Sequence, residues 1–284
     1  MINTFEAALK YVDEKGLEQF GDTWMPRVKE HMMALEDGYK ILNQAGRKPI
    51  EYSELPTQAA YLYAYGMPRA YFSDTFLRRH RLALQAPLFD GGELKVVSFG
   101  GGPGSELVGL LNYLDGGQEG ETVPAVSYRV YDKDSSWKTI AEAVAAQTST
   151  AVHVTIAYHQ LDLADEESTK HVDLSDSNLI IFSYIMSELC TLDRKDIIAK
   201  NVNRILGTMR SGSSMLFVES KVTDFIRYFK SCKGYNGKEK SDNGDSVNFD
   251  LPNWPPTFAK YAAYLERLPR MSSDAIVSKW YVKS

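Results

Sequence analysis

The stretch KVVSFGGGPGSELVGLL, residues 95–111, decides how the rest of this chain is read. Five β-prone residues run into three consecutive glycines, then Pro-Gly, then a helical pattern. Glycine permits positive φ and removes the Cβ that would keep another group away from the backbone. The helix expected over residues 103–114 offers unpaired N–H groups and the positive end of its dipole. Pro103 suits a first helical turn, where its missing N–H costs little, and Glu106 falls in the same turn. A strand, a bare turn and a helix in this order make a place where a ligand's polar groups meet main chain.

Outward from this stretch the rhythm repeats. Residues 126–131, 152–158, 178–184 and 213–220 read as further strands, with helical patterns at 136–147, near 165–171, and at 194–209. Strands alternating with helices imply crossover connections and a parallel sheet covered on both faces. NLIIF and MLFV are almost continuously apolar, as central parallel strands should be. The spacing therefore predicts an α/β fold, doubly wound, with a mostly parallel sheet over residues 91–284.

Residues 1–90 carry apolar residues at three- and four-residue intervals and no strand alternation, which predicts an all-helical N-terminal cap region. Pro26 and Pro68 mark helix starts or kinks. Beyond residue 220 a helix is expected at 222–230, an insertion or mobile loop near 231–256, a helix at 258–268 and a last strand at 276–282.

The 284 residues are 44% hydrophobic and 24% charged, ordinary for a soluble protein with a substantial core. The net charge of −5 lacks the basic footprint of an obligate nucleic-acid binder. Two cysteines, Cys190 and Cys232, build no disulfide framework and no metal-ligand spacing, so a reducing compartment and no metal are expected. With no leader-like apolar block near Met1 and no run of membrane-spanning length, a cytoplasmic location is the expectation.

The dinucleotide fingerprint G-x-G-x-x-G fails here, because its third glycine would fall on Ser105 or Leu107. The spacing present is G-x-G-x-G: Gly100, Gly102 and Gly104, with Gly101 between. This resembles the first motif of the class I S-adenosylmethionine-dependent methyltransferases. Three later segments match that family in order: YRVYDKD, YHQLDLAD and NLIIFSYIMSEL. The resemblance, which covers residues 95–219, implies a seven-stranded-type sheet and S-adenosyl-L-methionine as cofactor. By the same resemblance the glycines hold the methionine part, Asp132 (with Lys133, and Asp134 as the other choice) the ribose, and Asp162 with Leu163 the adenine. A carboxylate at a strand tip can accept both ribose hydroxyl protons.

The family places the acceptor after the fourth strand, beside Ser183, Tyr184, Ser187 and Glu188. Tyr184 and Glu188 are the candidate acceptor-positioning residues, and Ser183 a cofactor contact. The sequence departs from the family at Ser98, where an acidic residue is common, so another group must help hold the cofactor's amino end. The N/D-P-P-Y/F motif of adenine- and amide-type N-methyltransferases is absent.

Other residues carry two readings each. Tyr61, Tyr63, Tyr65, Tyr71 and Phe72 either line a site or pack helices together; on a helix Tyr61 and Tyr65 share a face that Tyr63 does not. Arg78, Arg79, His80 and Arg81 form a phosphate patch or a solvated face. His159 is a base or a structural histidine, and Trp254 a gate or a packing residue. A small-molecule acceptor is expected, with RNA as the alternative. A nicotinamide-dependent oxidoreductase, or a catalytically silent binding module that keeps the fold, are the readings of another class.

Overall fold

The computed structural model describes residues 1–80, 92–116, 123–148, 151–232, 237–242, 247–248, 254–269, 272–273 and 276–283. Five strands follow the predicted order: β1 (Glu93–Phe99), β2 (Ala125–Asp132), β3 (His153–Gln160), β4 (Leu179–Ser183) and β5 (Ser214–Ser220). The sheet is completed by β6 (Gly237–Asp242) and β7 (Ile276–Lys283). Its order is β3-β2-β1-β4-β5-β7-β6; β1 to β5 run parallel and β7 lies antiparallel between β5 and β6. A two-stranded pair, Val247–Asn248 with Ser272–Ser273, stands apart from this sheet.

The order reverses between β1 and β4, and ligands in such sheets bind beyond the carboxyl ends of the strands at that point. Both faces are covered. Alternate residues of the central strands feed opposite cores: Val96, Leu179, Ile181 and Leu216 one, Val97, Ile180, Phe182 and Phe217 the other. The doubly wound α/β sheet expected from the alternation is the one observed.

The helices are α1 (Ile2–Phe20), α2 (Trp24–Lys40), α3 (Leu55–Tyr61), α4 (Met67–Arg79), α5 (Ser105–Asp115), α6 (Lys138–Gln147), α7 (Glu166–Thr169), α8 (Met186–Leu189), α9 (Lys195–Gly207), α10 (Thr223–Cys232) and α11 (Pro256–Leu265). A π-helical turn, Leu62–Gly66, joins α3 to α4. Pro68 explains it: the ring has no N–H for the carbonyl four residues back, so the ladder loosens there. Pro26 sits in the first turn of α2, as expected.

The N-terminal region does more than cap the sheet. Phe72, Phe76 and Leu77 of α4 belong to the core shared with β1, β2 and α5. α4 and α5 cross where a Cβ on Gly109 would stand 2.4 Å from the Ala70 carbonyl oxygen. Helices α1, α2 and α11 close a second core around Phe5, Trp24 and Phe258. At its centre the Asp13 carboxylate accepts from Trp24 Nε1 (2.8 Å), Lys260 Nζ (2.7 Å) and Tyr261 Oη (3.2 Å). Tyr63 packs on this side, against Phe258 and Tyr261, away from Tyr61 and Tyr65.

Several expectations are corrected. The helix after the glycines starts at Ser105 rather than Pro103, because Gly104 caps it in the left-handed region with φ +87°. β6 lies inside the stretch expected as an insertion or mobile loop and is the antiparallel partner of the last strand; residues 233–236, 243–246 and 249–253 lie outside the described residues. Trp254 stacks on Phe258 with centroids 5.9 Å apart, which makes it a packing residue. Among the described residues no helix is long and apolar enough to cross a membrane.

Candidate active site

Three turns meet at the carboxyl ends of β1, β2 and β4 and surround a cavity of about 340 Å³. The glycine turn forms its floor. Gly100, Gly102 and Gly104 all have positive φ, at 67°, 45° and 87°, which explains the alternate-residue spacing. The Gly104 N–H closes the turn on the Gly101 carbonyl at 2.8 Å. An ideal Cβ on Gly102 would meet nothing within 4 Å, so its bare face opens toward space rather than protein.

Asp132, at the tip of β2, ties this turn down. One carboxylate oxygen accepts the Gly102 N–H at 2.9 Å, and the other accepts the Asp134 N–H at 2.9 Å. A carboxylate has about four lone-pair positions, so two remain for other donors. Burial pushes the Asp132 carboxyl up to about 6, against the pull of those two N–H groups. Asp134, the other ribose candidate, is instead the N-cap of the next helical turn and accepts from the Ser136 N–H.

Asp162 and Leu163, after β3, line the same cavity beside the end of β2, where the Leu161 N–H donates to the Asp132 carbonyl at 2.7 Å. Asp162 Oδ1 accepts the Ala164 N–H at 2.8 Å, and Oδ2 lies 3.5 Å from Lys133 Nζ. Asp165, not Asp162, caps α7. Of the predicted cofactor residues, Gly100, Gly102, Asp132, Lys133, Asp162, Leu163 and Ser183 all line the cavity, while Gly101 and Gly104 shape the turn from behind. His159 stays outside it, exposed and stacked on Tyr131 at 5.1 Å.

The fourth-strand turn carries the two acceptor candidates. Tyr184 is held at φ +56°, a strained value for a side-chain-bearing residue. Its ring lies under the Arg69 guanidinium, 4.5 Å from ring centre to Cζ. Glu188, on α8, accepts from Tyr52 Oη at 2.8 Å. Burial raises the Glu188 carboxyl above its ordinary range, while the Tyr52 hydroxyl and the Arg69 and Arg47 guanidinium groups work the other way.

Sequence reasoning missed four contributors. Arg69 donates to Tyr61 Oη at 2.7 Å and faces the Tyr61, Tyr65 and Tyr184 rings. Its spacing of four and eight residues from Tyr65 and Tyr61, one helical face, was the available signal. Arg47 straps the 41–54 connection over the cavity by donating to the Glu188 carbonyl (2.5 Å) and Thr191 Oγ1 (3.1 Å). Tyr52 sits on that strap. Glu219, fully buried at the end of β5, accepts the Ser187 and Ser220 N–H groups at 2.9 and 2.8 Å.

The acid missing at Ser98 has a neighbour of the right charge. Glu106 is 2% exposed, next to Ser183 and Arg69, and burial raises its carboxyl. Ser183 Oγ is buried at the cavity wall beside the Glu106 carboxyl. Among the described residues no group of three or more His, Cys, Asp or Glu could hold a metal ion.

The sheet order and the glycine turn define a Rossmann-like α/β fold, the architecture that the resemblance to class I methyltransferases implies. No protein-family model and no curated protein matches the chain. Solved structures of similar fold include precorrin-6y C5,15-methyltransferase from Geobacter metallireducens, with 10% identity, coverage of 72% of this chain and 89% of that one, and TM-score 0.41. An S-adenosylmethionine-dependent O-methyltransferase from Thermotoga maritima has 12% identity, coverage of 86% and 70%, and TM-score 0.44. The tRNA (m1A58) methyltransferase of Aquifex aeolicus has 13% identity, coverage of 75% and 68%, and TM-score 0.43. The likeness to all three is one of fold.

Proposed function

We propose that this chain is a methyltransferase that uses S-adenosyl-L-methionine and methylates an oxygen or nitrogen of a small-molecule acceptor. The observation that carries the reading is the Gly102–Asp132 tie. It fixes a bare turn and a strand-tip carboxylate on one cavity that Asp162 also lines. The cavity volume falls in the usual range for a small-ligand site, roughly 300–1,000 Å³. The open face of Gly102, with Ser183 on the same cavity wall, is the local feature a ligand's polar end would complete.

When bound, the cofactor supplies a methyl group already activated as a sulfonium. The glycine turn would seat the methionine part, the free lone pairs of Asp132 the ribose hydroxyls, and Asp162 with Leu163 the adenine edge. Glu106, through Ser183, supplies negative charge on the amino side in place of the residue missing at position 98. Tyr61 and Tyr184 offer π faces, which attract a sulfonium. Beyond that the protein aligns reactants and excludes water, and the Arg47 strap and the Tyr52 and Trp137 rings close the cavity toward solvent.

What supports a small-molecule acceptor over RNA, whose other basis was the lysine-rich stretch 230–240, is the pairing within the basic cluster. Arg78 pairs with Asp74 at 2.9 Å, Arg79 lies over Phe76, and His80 is buried against Ser278 Oγ; Arg81 lies outside the described residues. Calorimetry with S-adenosylmethionine, S-adenosylhomocysteine and NAD tests the proposal. Micromolar binding of the first two is expected. NAD binding alone overturns the reading, and binding of none of the three leaves a silent module.

A further inference from the structure

A second cavity of about 250 Å³ adjoins the first, and Arg69 and Tyr184 line both. Aromatic rings form part of its wall (Tyr39, Tyr65, Phe72, Tyr184 and Phe225), beside polar Lys40, Asn43, Ser187 and Ser220. Between the two cavities runs a hydrogen-bonded chain. Tyr39 Oη lies 2.9 Å from Tyr52 Oη, and Tyr52 Oη lies 2.8 Å from Glu188 Oε1. Tyr39 lines the second cavity; Tyr52 and Glu188 line the first.

We infer that Tyr39, Tyr52 and Glu188 form a proton relay serving a phenolic acceptor seated in the second cavity. The inference rests on the first cavity being the donor's seat. A donor of nucleoside size takes up a volume of the order of that cavity, so the acceptor needs other space, and the adjoining chamber meets the first at Tyr184.

The hydrogen inventory sets the direction of the chain. A phenol has one proton and an ionised carboxylate has none. Glu188 accepts from Tyr52, so the Tyr52 oxygen must accept from Tyr39. The Tyr39 proton is thereby committed, and the oxygen of this residue, which lines the second cavity, keeps acceptor capacity. An acceptor hydroxyl donating there completes a line of three O–H bonds ending on a carboxylate. Burial holds both phenols above their ordinary range, so they stay protonated and can pass a proton on.

The step balances. The acceptor O–H breaks as its proton reaches Tyr39; the Tyr39 proton moves to Tyr52, and the Tyr52 proton to Glu188. Glu188 ends as the carboxylic acid, and the acceptor oxygen keeps the electron pair that forms its new bond to carbon. The negative charge lost from Glu188 matches the positive charge lost from the sulfonium donor, whose sulfur keeps the pair of the broken C–S bond.

The charges around the chain suit this. Arg69 from α4 and Arg47 from the strap face Glu188, and Asp132 at the end of β2 is the acidic neighbour. Among the described residues no carboxylate oxygen pairs with Arg69 within 4.0 Å. Its guanidinium, held by the Tyr61 hydroxyl and three tyrosine rings, is therefore available to a phenolate at the shared wall.

The test uses 4-nitrophenol, whose ionised form absorbs visibly, as the acceptor probe. It is titrated into wild-type, Y52F and E188Q protein saturated with S-adenosylhomocysteine, and the absorbance of the bound probe is followed against pH. The bound probe should ionise about tenfold more readily, one pH unit lower, in wild type than in either variant. Binding of the protonated probe at low pH should stay within about threefold across all three. A purely structural role for the tyrosines would weaken probe binding at every pH and leave its ionisation in place.

Equal ionisation in all three proteins, no probe binding, or competition with S-adenosylhomocysteine overturns the relay. A shift in E188Q without one in Y52F also overturns it, since it places the probe against Glu188 in the first cavity. Calorimetry of S-adenosylhomocysteine alone reports on the donor's seat separately, and repeating the probe titration without the nucleoside keeps the two failures distinct.

Discussion

The Gly102 N–H donates to Asp132 Oδ2 at 2.9 Å, joining the turn after the first strand to the tip of the second. Thirty residues separate the two in the chain. The bond makes the carboxylate a brace for the turn, and under the proposed function it is the ribose partner too, so its removal should act on both. A hydrogen bond to a charged group contributes about 1.5–3 kcal/mol. Replacing Asp132 by alanine is expected to lower S-adenosylmethionine affinity at least about tenfold, read by calorimetry, in a protein that still unfolds cooperatively. Unchanged affinity would remove the basis of the proposed function.

Stability should fall as pH rises through neutrality, and Glu219 is the main reason. Burial pushes its carboxyl up to about 7 from an ordinary 4.5. The folded chain therefore holds this proton more tightly than the unfolded chain. The stabilisation is fully present below about pH 4.5 and lost as pH rises through 7, to a limit of about 3 kcal/mol. Asp132, pushed up to about 6, adds to the same trend at slightly lower pH. Urea unfolding at pH 5 and pH 7.5 should show a smaller loss for E219Q than for wild type. An identical loss would mean that Glu219 ionises normally in the fold.

Gly109 gives a prediction opposite in sign to helix propensity. In an isolated helix Gly→Ala stabilises by about 1 kcal/mol. Here the new methyl would stand 2.4 Å from the Ala70 carbonyl oxygen and 2.8 Å from Ser73 Cβ, forcing α4 and α5 apart. Overpacking of this kind costs about 1–3 kcal/mol. G109A should lower the unfolding free energy by about 2 kcal/mol in a denaturant titration; a gain would show that the two helices do not cross this closely.

The strap over the site should open when Arg47 is removed. Its guanidinium reaches the Glu188 carbonyl, Thr191 Oγ1 and the Leu42 carbonyl. R47A is expected to raise cleavage by a glutamate-specific protease after the exposed Glu51 several-fold at unchanged global stability, measured by timed proteolysis. Cleavage at the wild-type rate would show that the strap is held by Tyr52 and Thr191 alone.

Much of the fold is legible along the chain because its causes are local. Val96 and Val97 sit on opposite faces of one strand whatever the rest of the protein does, and the nearly continuous apolar runs of β4 and β5 declare a sheet buried on both sides. β6 was not legible. Gly237–Asp242 has no apolar rhythm, and its place is decided by main-chain pairing with β7. The glycine turn was read correctly in kind, since positive φ at alternate residues is a property of the residues themselves. Which acid would brace it was a matter of register: Asp132 and Asp134 are two residues apart, and only the end of β2 relative to β1 assigns one to Gly102 and the other to a helix cap.

The sequence by itself determined the doubly wound sheet and the bare turn at residues 100–104, because periodicity and backbone freedom are written in neighbouring residues. Tertiary structure alone decided that Arg69 would stand over Tyr184 and that Tyr39, Tyr52 and Glu188 would share a line of hydrogen bonds. Those contacts join parts of the chain with no common period, and they exist only because the N-terminal helices pack across the ends of the strands.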